Sequence, residues 1–172
     1  LIVLYTNVEA IVMNVIDPVV RLLQKHYEQK HVGLIGTRQT VNSNIFRKKI
    51  EKLDLGVRVS SYATNLLASA IEEFGNHRVI DSLLDVYLAH PDLENIDALV
   101  LACTHYPIIK NRIAALYKKP IDIIDPSDIV AAAVKKTLEK NHLLNNSVTS
   151  DKHFFISDYT DSFAHNASLF FC

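Results

Sequence analysis

The residues of this sequence best suited to chemistry are Cys103, Thr104 and His105. They follow the apolar run Ala98-Leu99-Val100-Leu101-Ala102 and precede Tyr106-Pro107. A continuous apolar run of this length reads as a strand covered on both faces. Pro107 suits the first turn of a helix, where its missing N–H costs nothing, and Ile108, Ile109, Ile113 and Leu116 supply that helix with an apolar face. Cys103 is thereby predicted at the carboxyl end of a strand, where open α/β sheets place their ligands. The turn after it presents backbone N–H groups to a carboxylate or phosphate. A free cysteine has a pKa near about 8.5 and is a few per cent thiolate at neutral pH. A helix N-terminus and a close His105 are expected to lower that value, giving a thiolate that serves as nucleophile or general base. The competing reading is a small buried hydrophobe, as most lone cysteines are. Residue types and spacing alone leave the two balanced.

Other candidates are weaker. The hydroxyls of Thr37 and Thr40, just after Gly36, can cap a helix or donate to a ligand carboxylate; capping alone is the simpler account. Glu72 and Glu73 adjoin on a predicted helix, where such pairs are usually solvated. The eight histidines show no metal-ligand spacing, and only His105 has a stated partner. None of the four glycines forms a G-x-G pattern, which argues against a nucleotide cofactor. No cofactor and no metal are expected.

The elements that must position these residues follow an α/β order. Strands are predicted over 1–4, 10–15, 30–35, 56–60, 98–102, 121–124 and 153–157. Helices are predicted from Asp17-Pro18 to residue 29, over 40–53, 61–74, 79–89, 108–117 and 129–139 (with Ser127 as N-cap), and over 162–171. Gly75-Asn76 breaks the third of these, and 141–152 reads as a polar loop. Such alternation implies a parallel sheet flanked by helices, with right-handed crossovers.

Composition sets outer limits. The chain has 172 residues, half of them hydrophobic, enough for a sizeable core in one or two domains. A net charge of −1 with mixed signs gives no sign of a nucleic-acid or membrane partner. Asn7, Glu9, Asn14 and Asp17 interrupt the apolar opening, so it reads neither as a membrane span nor, without a basic flank, as a secretory signal. Two cysteines far apart, Cys103 and Cys172, suggest a reducing cytoplasm.

Leu101-Ala102-Cys103-Thr104-His105-Tyr106-Pro107 resembles the second cysteine motif of the aspartate/glutamate racemase family, and of its glutamate racemases in particular. Val32-Gly33-Leu34-Ile35-Gly36-Thr37-Arg38-Gln39-Thr40-Val41 resembles the family's Gly-Thr-x-x-Thr turn. Val15-Ile16-Asp17-Pro18 looks like the lead into its second domain, and Ala70-Ile71-Glu72-Glu73 falls where the family carries a glutamate. The motifs come in the family's order over essentially the whole chain.

The resemblance implies two similar α/β domains, the first incomplete here. Residues 1–11 would be a remnant of it, 12–124 the second domain carrying Cys103, and 125–172 a segment returning to the first. It further implies cofactor-independent interconversion of L- and D-glutamate by two thiols on opposite faces of the α-carbon, supplying D-glutamate for peptidoglycan. Cys103 would be one thiol, His105 would tune or relay its proton, and Glu72, with Glu73 as the alternative match, would assist that histidine. Thr104, Thr37, Thr40 and, more weakly, Asn7 would bind substrate. The family's first cysteine precedes Asn-Thr. Thr6-Asn7 is the nearest match here, and no cysteine comes before Cys103. The chain opens in mid-strand and without Met, so a piece of a longer protein is the favoured explanation over a degenerate paralogue. A racemase for aspartate and a non-catalytic binding paralogue are the alternative readings. Oligomeric state, a homodimer included, is left open.

Overall fold

A computed structural model describes residues 10–54, 56–74, 77–145 and Phe155. Its centre is a four-stranded parallel sheet in the order β2-β1-β3-β4. The strands are β1 (His31–Gly36), β2 (Arg58–Ala63), β3 (Ala98–Ala102) and β4 (Asp122–Ile124). Gly36 lies opposite Ala63 on one side and Ala102 on the other. All four strands therefore end on one edge. The predicted strand over 10–15 does not form; that stretch is irregular and exposed. The expectations for 1–4, Gly75-Asn76, 153–157 and 162–171 concern residues outside the described ones, Phe155 excepted.

Alternation along the strands divides the core in two. Val32, Leu34, Ala98 and Val100 face a layer built on Val19, Val20 and Leu23 of α1 (Ile16–His26) and Phe46 and Ile50 of α3 (Ile45–Glu51). Ile129 of α7 (Pro126–Lys140) packs onto the same layer. Ile35, Leu99 and Leu101 face the other way, onto Ile80 and Leu84 of α5 (His77–Leu88) and Ile113 of α6 (Lys110–Ala115). The doubly covered sheet explains why β1 and β3 read as unbroken apolar runs. This is the predicted α/β class.

Several boundaries moved, each for a local reason. The helix predicted over 40–53 is two, α2 (Arg38–Asn42) and α3, because Asn44 adopts a left-handed φ of 53° between them; asparagine tolerates that conformation better than most residues. Residues 61–63 extend β2, and the helix expected from Ser61 is only α4 (Leu67–Ser69) followed by a π-helical turn, Ala70–Phe74. Leu116, expected on the apolar face of a helix, is exposed, while α1 stops at His26, itself exposed. The N-cap of α7 is Asp125, not Ser127: the Asp125 carboxylate accepts the Ser127 N–H at 2.8 Å, and Pro126 occupies the first turn.

Two measurements check this packing. A Cβ on Gly33 would lie 2.7 Å from Ile96 Cδ1 and 3.1 Å from side-chain atoms of both Leu93 and Leu99, so Gly33→Ala overpacks the core and is expected to cost about 1–3 kcal/mol in urea unfolding. The Asp17 carboxyl is held below the usual carboxylate range, first by its hydrogen bond to Lys49 and then by Asn14. Its contribution to stability is thus present above the unfolded carboxyl pKa and lost as pH falls through the lower folded value. Asp17→Asn is expected to remove that part of the acid-unfolding curve.

Candidate active site

The site lies on the carboxyl edge of the sheet, between β1 and β3. From β1 the chain builds outward to β2 on one side and then to β3 and β4 on the other, so the β1–β3 seam is the point where strand order reverses. Open α/β sheets bind ligands at that point. The loop after β1 carries Thr37 and Thr40, and the loop after β3 carries Cys103, Thr104 and His105. Gly36 lets the two strand ends meet: a Cβ there would stand 3.1 Å from the Ala102 carbonyl oxygen.

Cys103, half-buried, begins a line of polar groups. Its Sγ is 3.8 Å from His105 Nδ1, and His105 Nε2 is 3.7 Å from Glu72 Oε2. Glu72 reaches this position from the π-helical turn, a distortion often found at functional sites. A carboxylate on the Nε2 side favours the proton there and leaves the Nδ1 lone pair facing the sulfur. The imidazole can then take a proton from the thiol or return one. Glu72, singled out by the resemblance, is thus brought to His105; the side chain of Glu73 lies outside the described residues.

The thiol does not have the depressed pKa expected of it. Burial pushes it up, the Glu72 charge adds to that, and the His105 and Tyr106 backbone N–H groups with the Tyr106 hydroxyl offset the rise only in part. The backbone N–H groups of the turn after β3 favour the thiolate, but its desolvation is the larger effect. The helical segment there begins as a short 3₁₀ turn, Tyr106–Ile109, before α6.

A cavity of about 310 Å³ opens beside it, lined by Cys103, Thr104, Thr40 and Ser127 among apolar walls that include Leu101 and Val130. Thr104 and Thr40 join the thiol there. Thr37 stands one step back: its Oγ1 accepts the Thr40 N–H at 3.4 Å and lies 3.1 Å from Thr40 Oγ1, so it caps α2 and holds Thr40. Asn7 lies outside the described residues. Ser127 was read only as a helix cap, although the strand–turn–helix at Asp125-Pro126-Ser127 repeats the pattern that singled out Cys103. A second cavity of about 520 Å³, lined by Leu93, Asn95, Tyr117 and Lys118 among others, sits by the amino ends of β3 and β4 and carries no thiol.

Among the described residues no group of three or more His, Cys, Asp or Glu side chains is placed to hold a metal ion, and no helix is long and apolar enough to cross a membrane.

Comparison with known proteins points to one family. A glutamate racemase from Chlorobium phaeobacteroides is 38% identical over 143 residues, 82% of this chain and 53% of that protein. One from Persephonella marina is 35% identical over 88% of this chain and 56% of its own length. The chain spans about half the length of the curated relatives it matches. Among solved structures, glutamate racemase from Francisella tularensis in complex with D-glutamate superimposes with a TM-score of 0.80 at 32% identity, covering 91% of this chain and 58% of that one. A Bacillus anthracis glutamate racemase isoform gives 0.88 at 27% identity, over 98% and 64%. The Asp/Glu/Hydantoin racemase family model matches residues 7–134, three-quarters of the sequence, and the chain belongs to that family.

Proposed function

We propose that this chain supplies the Cys103 half of a cofactor-independent glutamate racemase, making D-glutamate for peptidoglycan in the cytoplasm. The observation that carries the reading is the line from Cys103 to His105 to Glu72 beside a hydroxyl-lined cavity at the β1–β3 seam. Its relatives are named for glutamate.

The α-proton of an amino acid is far less acidic than a thiol, so the site must both generate a thiolate and stabilise carbanion character. Cys103 does the first on the L-glutamate side: its proton passes toward His105 Nδ1, and the thiolate then takes the Cα proton to become a thiol again. The electron pair left on carbon is spread into the adjacent carboxylate, which Thr104 and Thr40 hold by hydrogen bonds. Burial matters here. It costs the resting thiolate, but the same low-dielectric surroundings strengthen each hydrogen bond to the developing charge. A second thiol on the opposite face delivers a proton to Cα and inverts it. The reverse reaction exchanges the roles, Cys103 then being the acid. Cys103 is the one free cysteine among the described residues, so the reading requires the second thiol from elsewhere in the assembled protein. The division at residues 11 and 124 is part of the same proposal, with the active site at the interface of the two domains.

The direct test is polarimetry of the full-length protein with L-glutamate and no added cofactor. Loss of rotation toward the racemate is expected, and Cys103→Ser should slow it by roughly 10²–10⁴-fold, the usual worth of a positioned acid–base group. Conversion of aspartate in preference to glutamate would move the substrate assignment to the sister racemase; binding of either acid without turnover would replace catalysis by a binding role. Because burial raises the Cys103 pKa, kcat/KM in the direction that uses its thiolate should climb as pH rises toward that pKa and fall tenfold per unit below it. A profile flat through the alkaline range would remove Cys103 as the titrating base.

A further inference from the structure

The amino end of the sheet, away from the cysteine, holds a polar cluster that the mechanism above does not use. His31 opens β1 and lies directly opposite Arg58 of β2, with Ser60 two residues further along and so on the same face. The imidazole bridges the two. Arg58 Nη2 is 2.6 Å from His31 Nδ1, and Ser60 Oγ is 2.8 Å from His31 Nε2. Among the described residues β2 is an edge strand paired with β1 alone, so the bridge closes an end that no further strand holds. Next to it the Arg58 N–H donates to the Lys30 carbonyl at 2.9 Å.

Counting protons fixes the state of the ring. A guanidinium carries only donors, so His31 Nδ1 must accept from Arg58. A bare Nδ1 makes the ring the neutral Nε2–H tautomer, and Nε2 then donates to Ser60 Oγ. A proton added at Nδ1 removes the acceptor and sets a second cation against the guanidinium. Besides Arg58 from β2, the charged groups here are Asp97, from the segment before β3, and Lys30, next to His31 in the chain. The Asp97 carboxylate accepts the His31 backbone N–H at 2.8 Å and pairs with Lys30 at 3.4 Å, so its charge is already engaged. Burial and then the Arg58 charge hold the His31 pKa below its ordinary value, and the Asn95 backbone and Asp97 oppose them only in part.

We propose that His31 is a pH-sensitive clasp on the edge strand: neutral, it joins Arg58 to Ser60 and seals the amino end of β2 onto β1; protonated, it releases Arg58 and lets that end open. The far end of β2 stays closed, because the Thr64 N–H bonds the Gly36 carbonyl there at 2.9 Å. With the folded pKa depressed, the stabilisation is present above the unfolded histidine pKa and is lost as pH falls through the lower folded value. The clasp stands independently of the reaction at Cys103.

The test is NMR of the full chain from about pH 8 to about pH 5, the range over which histidine titrates. It reads the ring nitrogens of His31 and the hydrogen-exchange protection of the Arg58 and Thr64 amides. At the upper end only Nε2 should carry a proton. Towards the lower end Arg58 protection is expected to fall roughly two- to tenfold, the usual worth of one hydrogen bond, while Thr64 protection holds. His31→Gln keeps an acceptor and a donor but does not titrate, so it should make Arg58 protection independent of pH. Arg58→Met removes the opposing cation and should move the titration midpoint of the His31 ring upward, a readout that stands even if His31→Gln fails to fold. A ring protonated at Nδ1 at the upper end, an unmoved midpoint in Arg58→Met, or the same pH dependence of Arg58 protection with and without His31 would each overturn the clasp.

Discussion

The structure depends on the parallel pairing of β1 and β3 up to their last residues, Gly36 against Ala102. These central strands carry the two apolar faces onto which every packed helix is laid. Their common end brings two loops distant in sequence to one place. A side chain at position 36 would press on the Ala102 carbonyl, so the close approach requires glycine for its size. Thr64, from the end of β2, ties the third strand to the same point through its N–H bond of 2.9 Å to the Gly36 carbonyl.

From that junction the electrostatics of the cysteine follow. Backbone N–H groups of the turn and the Tyr106 hydroxyl favour a thiolate, while desolvation and the Glu72 charge oppose it. The balance raises the pKa of the thiol. A base that must abstract a weakly acidic carbon proton gains from a high intrinsic basicity, so a thiol with a raised pKa and an adjacent proton acceptor suits the task better than a permanently ionised sulfur. In the proposed reaction the imidazole between Cys103 and Glu72 is that acceptor.

Much of the site was legible in the residues. The apolar run ending in Cys103, with Pro107 just beyond it, placed the thiol at a strand end because both signals are local: a doubly buried strand has a continuous pattern, and proline marks a helix start. The resemblance to the racemases added Glu72, Thr40 and Thr104, each of which the structure brings to His105 or to the cavity. Failures arose where tertiary forces outweigh local ones. Residues 10–15 carry strand-forming side chains but pair with no strand among the described residues. The helix expected over 61–74 gave way to three residues of β2, because Ser61, Tyr62 and Ala63 pair with β1.

By itself the sequence determined the fold class, the site of the thiol and the family, since each rests on periodicity, turn chemistry or contiguous motif residues. Strand order, and with it the seam at which Thr40 meets Cys103, was decided only by the tertiary structure: the residues of a parallel strand carry no local label for its neighbours. The same holds for the sign of the cysteine's pKa shift. A turn's N–H groups are visible in the residues that form it, but burial belongs to the whole assembly, and here it is the larger effect. The bond between Thr64 and Tyr106, 42 residues apart, exists for that reason too: two strands had to end side by side before their hydroxyls could meet.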